Sequence, residues 1–427
     1  MGVLQTPGQD RPPTTRKRRL WTVAPGPPPS AQAYEGLEIL NEIPTETGLT
    51  LFEWLRDVRL WTSVDPATAK DLFAVSYQPG RVTSWGATLQ DSSLTAPGEI
   101  FAALVAEPDH VRSEQLAPAC TAMADWATEW GHVATAAAFA EAAAWLLPDD
   151  PDLCFRAGRA DRRNVAFHRA VLWFHRGIGL ARRTANWTAY VDCWLGWGNL
   201  EISRGRLTAA ERLLDRAYRA ARKHNLRELG AAAQHDMFML AVDQRKFAEA
   251  HVHASAAFSL YSPDHPSLPY LMHDVAQTWA LEGYGKLALP ILATSRQVLT
   301  SPSDQLHIAG NTAGAAGQAG DMDTFYEAWA VVDQLATRPV PYAAAALIAV
   351  AEGAFALGLN RQATDAATKA FRFAEQRQEI TEEKRALELM ESIRRADPPP
   401  SPAVPPPDVE ALASLLLQRL REMTKPS

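Results

Sequence analysis

Two dipeptides in this chain have the residue types of a metal-dependent hydrolytic centre. His235-Asp236 and His273-Asp274 each set an imidazole beside a carboxylate, ligands that hold a transition metal and activate its bound water. His168 and His175, seven residues apart, fall on one side of a helix, but no carboxylate at ligand spacing completes a site there. Nucleophilic catalysis has no comparable support, because the chain has no GxSxG elbow and no phosphate-cradling glycine loop. Cys120, Cys154 and Cys193 form no CxxC pair or disulfide framework and read as small buried hydrophobes in a reducing compartment. Gly310, Gly314, Gly317 and Gly320 space at three and four, which is a helix face made small for close packing. Each helical Gly costs about 1 kcal/mol relative to Ala, so that helix is predicted to be locally soft.

A second constellation suits recognition. Arg156, Arg159, Arg162, Arg163, Arg169, Arg176, Arg182 and Arg183 fall within 28 residues. Guanidinium forks bind carboxylates in a bidentate fashion. Two readings follow: an exposed helical face bridged to neighbouring acids such as Asp152 and Asp161, or a site where Arg159 and Arg162 hold an acidic segment of a partner.

The elements that carry these residues are repetitive. The His-Asp pairs sit 38 residues apart, and similar intervals recur among residues with no reactive chemistry. Gly131-His-Val-Ala-Thr-Ala136 with Ala143 and Pro148 is one version of a phrase, and Gly205-Arg-Leu-Thr-Ala-Ala210 with Ala217 is another. Ala250 with Ala257, Gly283 with Ala288, Gly320 with Phe325, and Gly358 with Ala363 and Ala370 continue it, in steps of 40, 38, 37 and 38 residues after Gly205. Periods of this length mark solenoids of stacked helix pairs. Seven pairs are expected, near 115–148, 150–184, 187–224, 227–261, 268–299, 305–337 and 340–376, with a closing helix from about Thr381 to Arg395. Ala210 and Ala217 lie seven apart on one helix face, where short side chains let two helices approach. Periodicity thus explains the paired His-Asp dipeptides without a metal.

These units resemble tetratricopeptide repeats over about 115–376. Trp194, Trp197, Gly198, Ala210, Leu214 and Ala217 follow that pattern, with Trp197 where the family prefers Leu; Ala136, Ala143 and Pro148 match its second half. The second unit departs from it, with Val165 in place of the turn glycine. The resemblance implies an all-α, right-handed superhelical solenoid of antiparallel helix pairs, whose first helices line a concave groove. Its groove positions map onto Arg159, Arg162, Asp192, Asn199, His235, Met239, Tyr270, His273, Gln277 and His307. At the Asn199 position some family members grip peptide backbones or carboxylates.

The flanks differ in kind. Residues 1–30 form a Pro-rich, disordered tail with a basic run at Arg16-Lys17-Arg18-Arg19, and 31–113 form a helical cap on the solenoid of 114–396. A proline spacer covers 397–407, and an amphipathic helix occupies 408–427, with Val409, Leu412, Leu416 and Leu420 along one side. Such a helix cannot bury its Leu face alone. It is expected to dock on a partner, on a second copy or back into its own groove, or not to dock stably.

Hydrophobic content of 47% is ample for a core, and a net charge of −7 gives no general case for nucleic acid or membrane binding. The longest apolar stretch, Tyr342 to Gly358, carries Glu352 and is too short to span a bilayer. The first thirty residues have no apolar core segment, so a cytoplasmic protein is expected, and abundant Ala with Arg over Lys suggests a bacterial source. The expected function is a non-enzymatic scaffold, with no cofactor, that holds a protein or peptide in its groove. The alternative is a signalling or transcriptional regulator that senses a peptide, and a minor one is a metal-dependent hydrolase built on the His-Asp pairs.

Overall fold

The computed structural model describes residues 24–28, 37–64, 91–395 and 403–424, with single positions 68, 71, 73, 85 and 397. The basic run at 16–19 lies outside those residues, as do most of 65–90 within the expected helical cap. The described residues contain nineteen α-helices and no strand.

Three helices come first: α1 (Ile39–Glu42), α2 (Thr45–Ser63) and α3 (Thr95–Ala106). They share one core with the first pair, α4 (Ser113–Glu129) and α5 (Val133–Leu146). Trp54 of α2 lies 4.9 Å from Phe101 of α3, which lies 6.1 Å from Phe139 of α5. The Glu42 carboxylate accepts the Ala134 and Thr135 amides, both at 2.9 Å. A carboxylate at a helix start satisfies free N–H groups and opposes the helix dipole, so α1 caps a helix ninety residues away.

Six more pairs follow. They are α6 (Pro151–Arg163) with α7 (Phe167–Thr184), α8 (Trp187–Ser203) with α9 (Leu207–Lys223), and α10 (Arg227–Asp243) with α11 (Phe247–Leu260). Then come α12 (Leu268–Leu281) with α13 (Gly285–Val298), α14 (Pro302–Ala319) with α15 (Met322–Leu335), α16 (Ala343–Ala356) with α17 (Asn360–Arg377), and a last helix α18 (Ile380–Arg395). The fold is an all-α helical solenoid of stacked pairs. Local chemistry sets the boundaries. Asp150 accepts the Asp152 and Leu153 amides ahead of Pro151, and Ser301 accepts the Asp304 amide ahead of Pro302. At the turn of the second unit Val165 adopts φ +64°, a conformation costly for a β-branched residue; the fourth unit has Arg245 at φ +56° there, and the other units use glycines such as Gly205 and Gly320.

Small residues govern how closely the pairs stack. Ala210 and Ala217 are fully buried, and a Cβ on Gly198 would come within 2.5 Å of Leu214. In the sixth and seventh units α14 packs directly on α16 through its glycine face. A Cβ at Gly310 would fall 2.4 Å from the Ala346 Cα, and one at Gly317 would fall 2.3 Å from the Gly353 Cα.

The C-terminal helix α19 (Pro407–Met423) begins one residue before Asp408 and docks in cis on α13. Val409, Ala413, Leu416 and Leu420 are buried there, and the Ala403 amide donates to the Gly283 carbonyl at 3.1 Å. That apolar side is covered by the chain's own outer helix, not by its groove. Among the described residues no helix is long and apolar enough to cross a membrane.

Candidate functional site

The pairs curve until the last meets the second. An Arg377 Nη2 at the end of α17 donates to the Arg163 carbonyl at the end of α6 (3.2 Å), and the Ile380 methyl lies 3.9 Å from where a Gly205 Cβ would sit. Arg338 similarly reaches the Glu42 carbonyl at 3.4 Å. These contacts border a half-open channel of about 980 Å³ whose wall runs from Thr121 of α4 to Glu382 of α18.

One side of the channel is cationic. Arg156, Arg159, Arg162 and Arg163 line it. Of the other four, Arg169 pairs with Glu141, Arg183 with Asp149 at 3.1 Å and Arg176 with backbone carbonyls, while Arg182 is exposed. Arg156 pairs with Asp125 at 3.0 Å. Among the described residues, no carboxylate lies within ion-pair distance of the Arg159, Arg162 and Arg163 side chains. Arg162 reaches Ser203 Oγ at 3.5 Å, while its buried Nε has no hydrogen-bond partner. Burial, then repulsion from Arg163 and Arg159, pushes the Arg162 guanidinium down to about 10; Arg163 and then burial lower Arg159. Both remain charged at neutral pH. The bridged-face reading therefore accounts for part of the cluster and leaves these three guanidinium groups facing the channel.

Carboxylates share the wall: Asp236, near enough to Arg162 for each to influence the other's charge, with Asp243, Glu379 and Glu382. Glu379 pairs with Arg377 at 2.7 Å, yet burial pushes its carboxyl up to about 7. Burial likewise raises Asp236 to about 6 and, with Asp152 adding to it, Asp192 to about 7.

The His-Asp residues form a polar ladder that runs between repeats. Asn199 donates to Asp236 at 2.9 Å, and His235 Nε2 meets Asp274 of the next unit at 2.8 Å. Asp274 also holds His273 Nδ1 at 3.0 Å, and His273 Nε2 meets the Asn311 amide of the following unit at 3.0 Å. Burial alone would raise the Asp274 carboxyl, but the bonds to His235 and His273 override it and hold it well below the usual range. His307 lies edge-on to His273 and stacks on Tyr342 with centroids 4.7 Å apart; burial, reinforced by His273, pushes it down to about 3. Both His273 ring nitrogens are thus engaged within the ladder. Among the described residues no group of three or more His, Cys, Asp or Glu is placed to hold a metal ion.

Of the ten groove positions, Arg159, Arg162, His235 and Tyr270 line the channel together. Asn199, His273 and His307 belong to the ladder, with His273 buried. Asp192, Met239 and Gln277 are half-buried and outside the channel wall. Three contributors were not singled out from sequence: Arg163, Tyr342 and Asp304, which accepts the Tyr270 hydroxyl at 3.1 Å. Arg163 was visible only as one of eight arginines; Tyr342 and Asp304 carry no motif.

The class these features define is a tetratricopeptide-like helical array. Its fold is shared with the Rap conjugation gene regulator of plasmid pLS20, solved in complex with the Phr* peptide, at a TM-score of 0.53 and 13% identity over 77% of this chain and 97% of that one. A Rap protein complexed with competence and sporulation factor aligns at a TM-score of 0.47 and 11% identity, over 82% of this chain and 98% of the other. No family model and no curated protein sequence matches the chain.

Proposed function

We propose that this protein is a non-enzymatic, peptide-binding helical array whose channel captures a carboxylate-bearing segment through Arg159, Arg162 and Arg163. The observation that carries this reading is the set of three guanidinium groups on the channel wall with no carboxylate at ion-pair distance among the described residues, one with a buried Nε that has no hydrogen-bond partner there. A buried donor without an acceptor costs about 1–3 kcal/mol, a penalty that an incoming carboxylate relieves. The ladder ties α8, α10, α12 and α14 together, the first helices that follow the arginine-bearing α6, so the rest of the groove is held in place before a ligand arrives. That the pLS20 Rap structure holds a peptide in the same fold supports a peptide ligand, and that protein's being a gene regulator favours a regulatory array over a passive scaffold.

The test is fluorescence anisotropy with labelled short peptides that differ only in carrying acidic or amide side chains and a free-acid or amidated C-terminus. Carboxylate-bearing peptides should bind, amidated neutral ones at least tenfold more weakly. The double variant Arg159→Glu, Arg162→Glu should lose them. Undiminished capture by that variant, in a chain that melts normally, would sink the proposal.

A further inference from the structure

Away from the channel, the chain already holds one peptide strand. Residues 24–28, Ala-Pro-Gly-Pro-Pro, run without helix or strand across α5 and α7, and Pro28 is buried. Two donors grip the strand's backbone. Trp145 Nε1 donates to the Pro28 carbonyl at 3.2 Å, and an Arg176 Nη1 donates to the Pro25 carbonyl. Arg176 is only 6% exposed, and its Nε is fixed on the Pro148 carbonyl at 2.9 Å, so its fork is aimed before the strand arrives. Shape completes the seat. Ala24 packs on the cluster that contains Trp173 and Leu180, and Gly179 leaves the space beneath it, since a Cβ there would lie 3.0 Å from the Ala24 Cα and Cβ.

These are the components with which aromatic-lined clefts read proline-rich strands: a ring donor, a fixed cation on a carbonyl, and a flat apolar floor. Proline fixes φ and biases the residue before it toward an extended shape, so such a strand loses little freedom on binding. Proline content alone does not place a segment here. The second proline-rich stretch is tied through Ala403 to Gly283, on another unit.

We propose that the cleft between α5 and α7 is a recognition site for an extended proline-rich protein strand. Residues 24–28 are its occupant in cis, and a proline-rich strand of another protein takes the same seat by displacing them. None of Trp145, Trp173, Arg176 and Gly179 lies on the channel wall, so this site stands apart from the proposed carboxylate capture.

The experiment keeps the full chain and replaces residues 24–28 by Gly-Ser-Gly-Ser-Gly, which empties the cleft. The probe is a fluorescein-labelled peptide with the sequence of residues 22–30, followed by anisotropy. Saturable binding is expected. The unaltered chain should bind at least tenfold more weakly, because its own strand competes at the high effective concentration of a tether. Adding Gly179→Leu to the emptied chain should weaken binding at least tenfold, and Trp145→Phe, which keeps a ring but removes the donor, about threefold or more. A peptide with alanine at every proline should bind at least tenfold more weakly. Absence of saturable binding to the emptied chain overturns the proposal. So does equal binding by the unaltered chain, by the Trp145→Phe form or by the alanine peptide.

Discussion

The glycine face between α14 and α16 gives the sharpest test of how this array is built. On an exposed helix, Gly→Ala stabilises by about 1 kcal/mol. At Gly317 the added methyl would sit 2.3 Å from both the Cα and the carbonyl oxygen of Gly353, and at Gly310 it would sit 2.4 Å from the Ala346 Cα. Backbone atoms cannot rotate away as a side-chain tip can, so the two helices must separate. Overpacking of this kind costs about 1–3 kcal/mol. Taking the upper part of that range for a clash with backbone and subtracting the propensity gain leaves Gly317→Ala and Gly310→Ala destabilised by about 1–2 kcal/mol. Gly314 is the internal control, because its methyl would meet only the Ala349 carbonyl, at 3.1 Å, so gain and strain should nearly cancel. Urea unfolding followed by circular dichroism would read the order as lower midpoints for the outer two and little change for the middle one. If all three variants gained about 1 kcal/mol, the direct α14–α16 contact would be refuted.

Other outcomes follow from the same physics. Asp192 has its folded pKa raised to about 7 by burial, so between about pH 4 and pH 7 the folded chain keeps a proton that the unfolded chain releases. Its contribution to stability is present below about pH 4 and is lost as pH rises through 7; Asp192→Asn should flatten that fall, and parallel stability curves for the two proteins would contradict the assignment. Asn311→Leu would strip His273 Nε2 of its partner in a buried ladder and should cost about 1–3 kcal/mol in urea unfolding. Leu420→Ala would empty part of the seat of α19 on α13 and cost about 2–5 kcal/mol at most. Because α19 hangs on a linker, the loss should appear as faster proteolytic release of 403–427 with little change in melting of the array.

The helical framework was legible because close packing leaves a local trace. Ala210 with Ala217 and the Gly310–Gly317 series had to be small, and their spacing announced helix faces. The ladder was legible as residue types and not as partners. His235 has Asp236 beside it in the chain, yet adjacent residues on a helix point apart, and stacking brings it Asp274 of the next repeat instead. Arg162 was named from its chemistry, whereas its isolation from carboxylates depends on Arg156, Arg169 and Arg183 having found theirs. The amphipathic side of α19 was readable, but its seat is set by the α13 surface, more than a hundred residues earlier. Least legible was the closure of the channel. It accumulates from small rotations at each stacked pair, and no single residue encodes it.

That closure changes what kind of object the array is. A solenoid whose units touch only their neighbours comes apart from its ends, and its stability is a sum along a line. Here Arg377 grips the Arg163 backbone across 214 residues, so the last pair is stapled to the second. A flexible loop of that length would cost about 5 kcal/mol to close. The stiff helices meet that cost gradually, through their own curvature. The staple sits beside Arg159, Arg162 and Arg163, so the seam where unravelling would begin is also part of the channel wall. Any molecule that bridges the seam must raise the cooperativity of the whole ring as it binds.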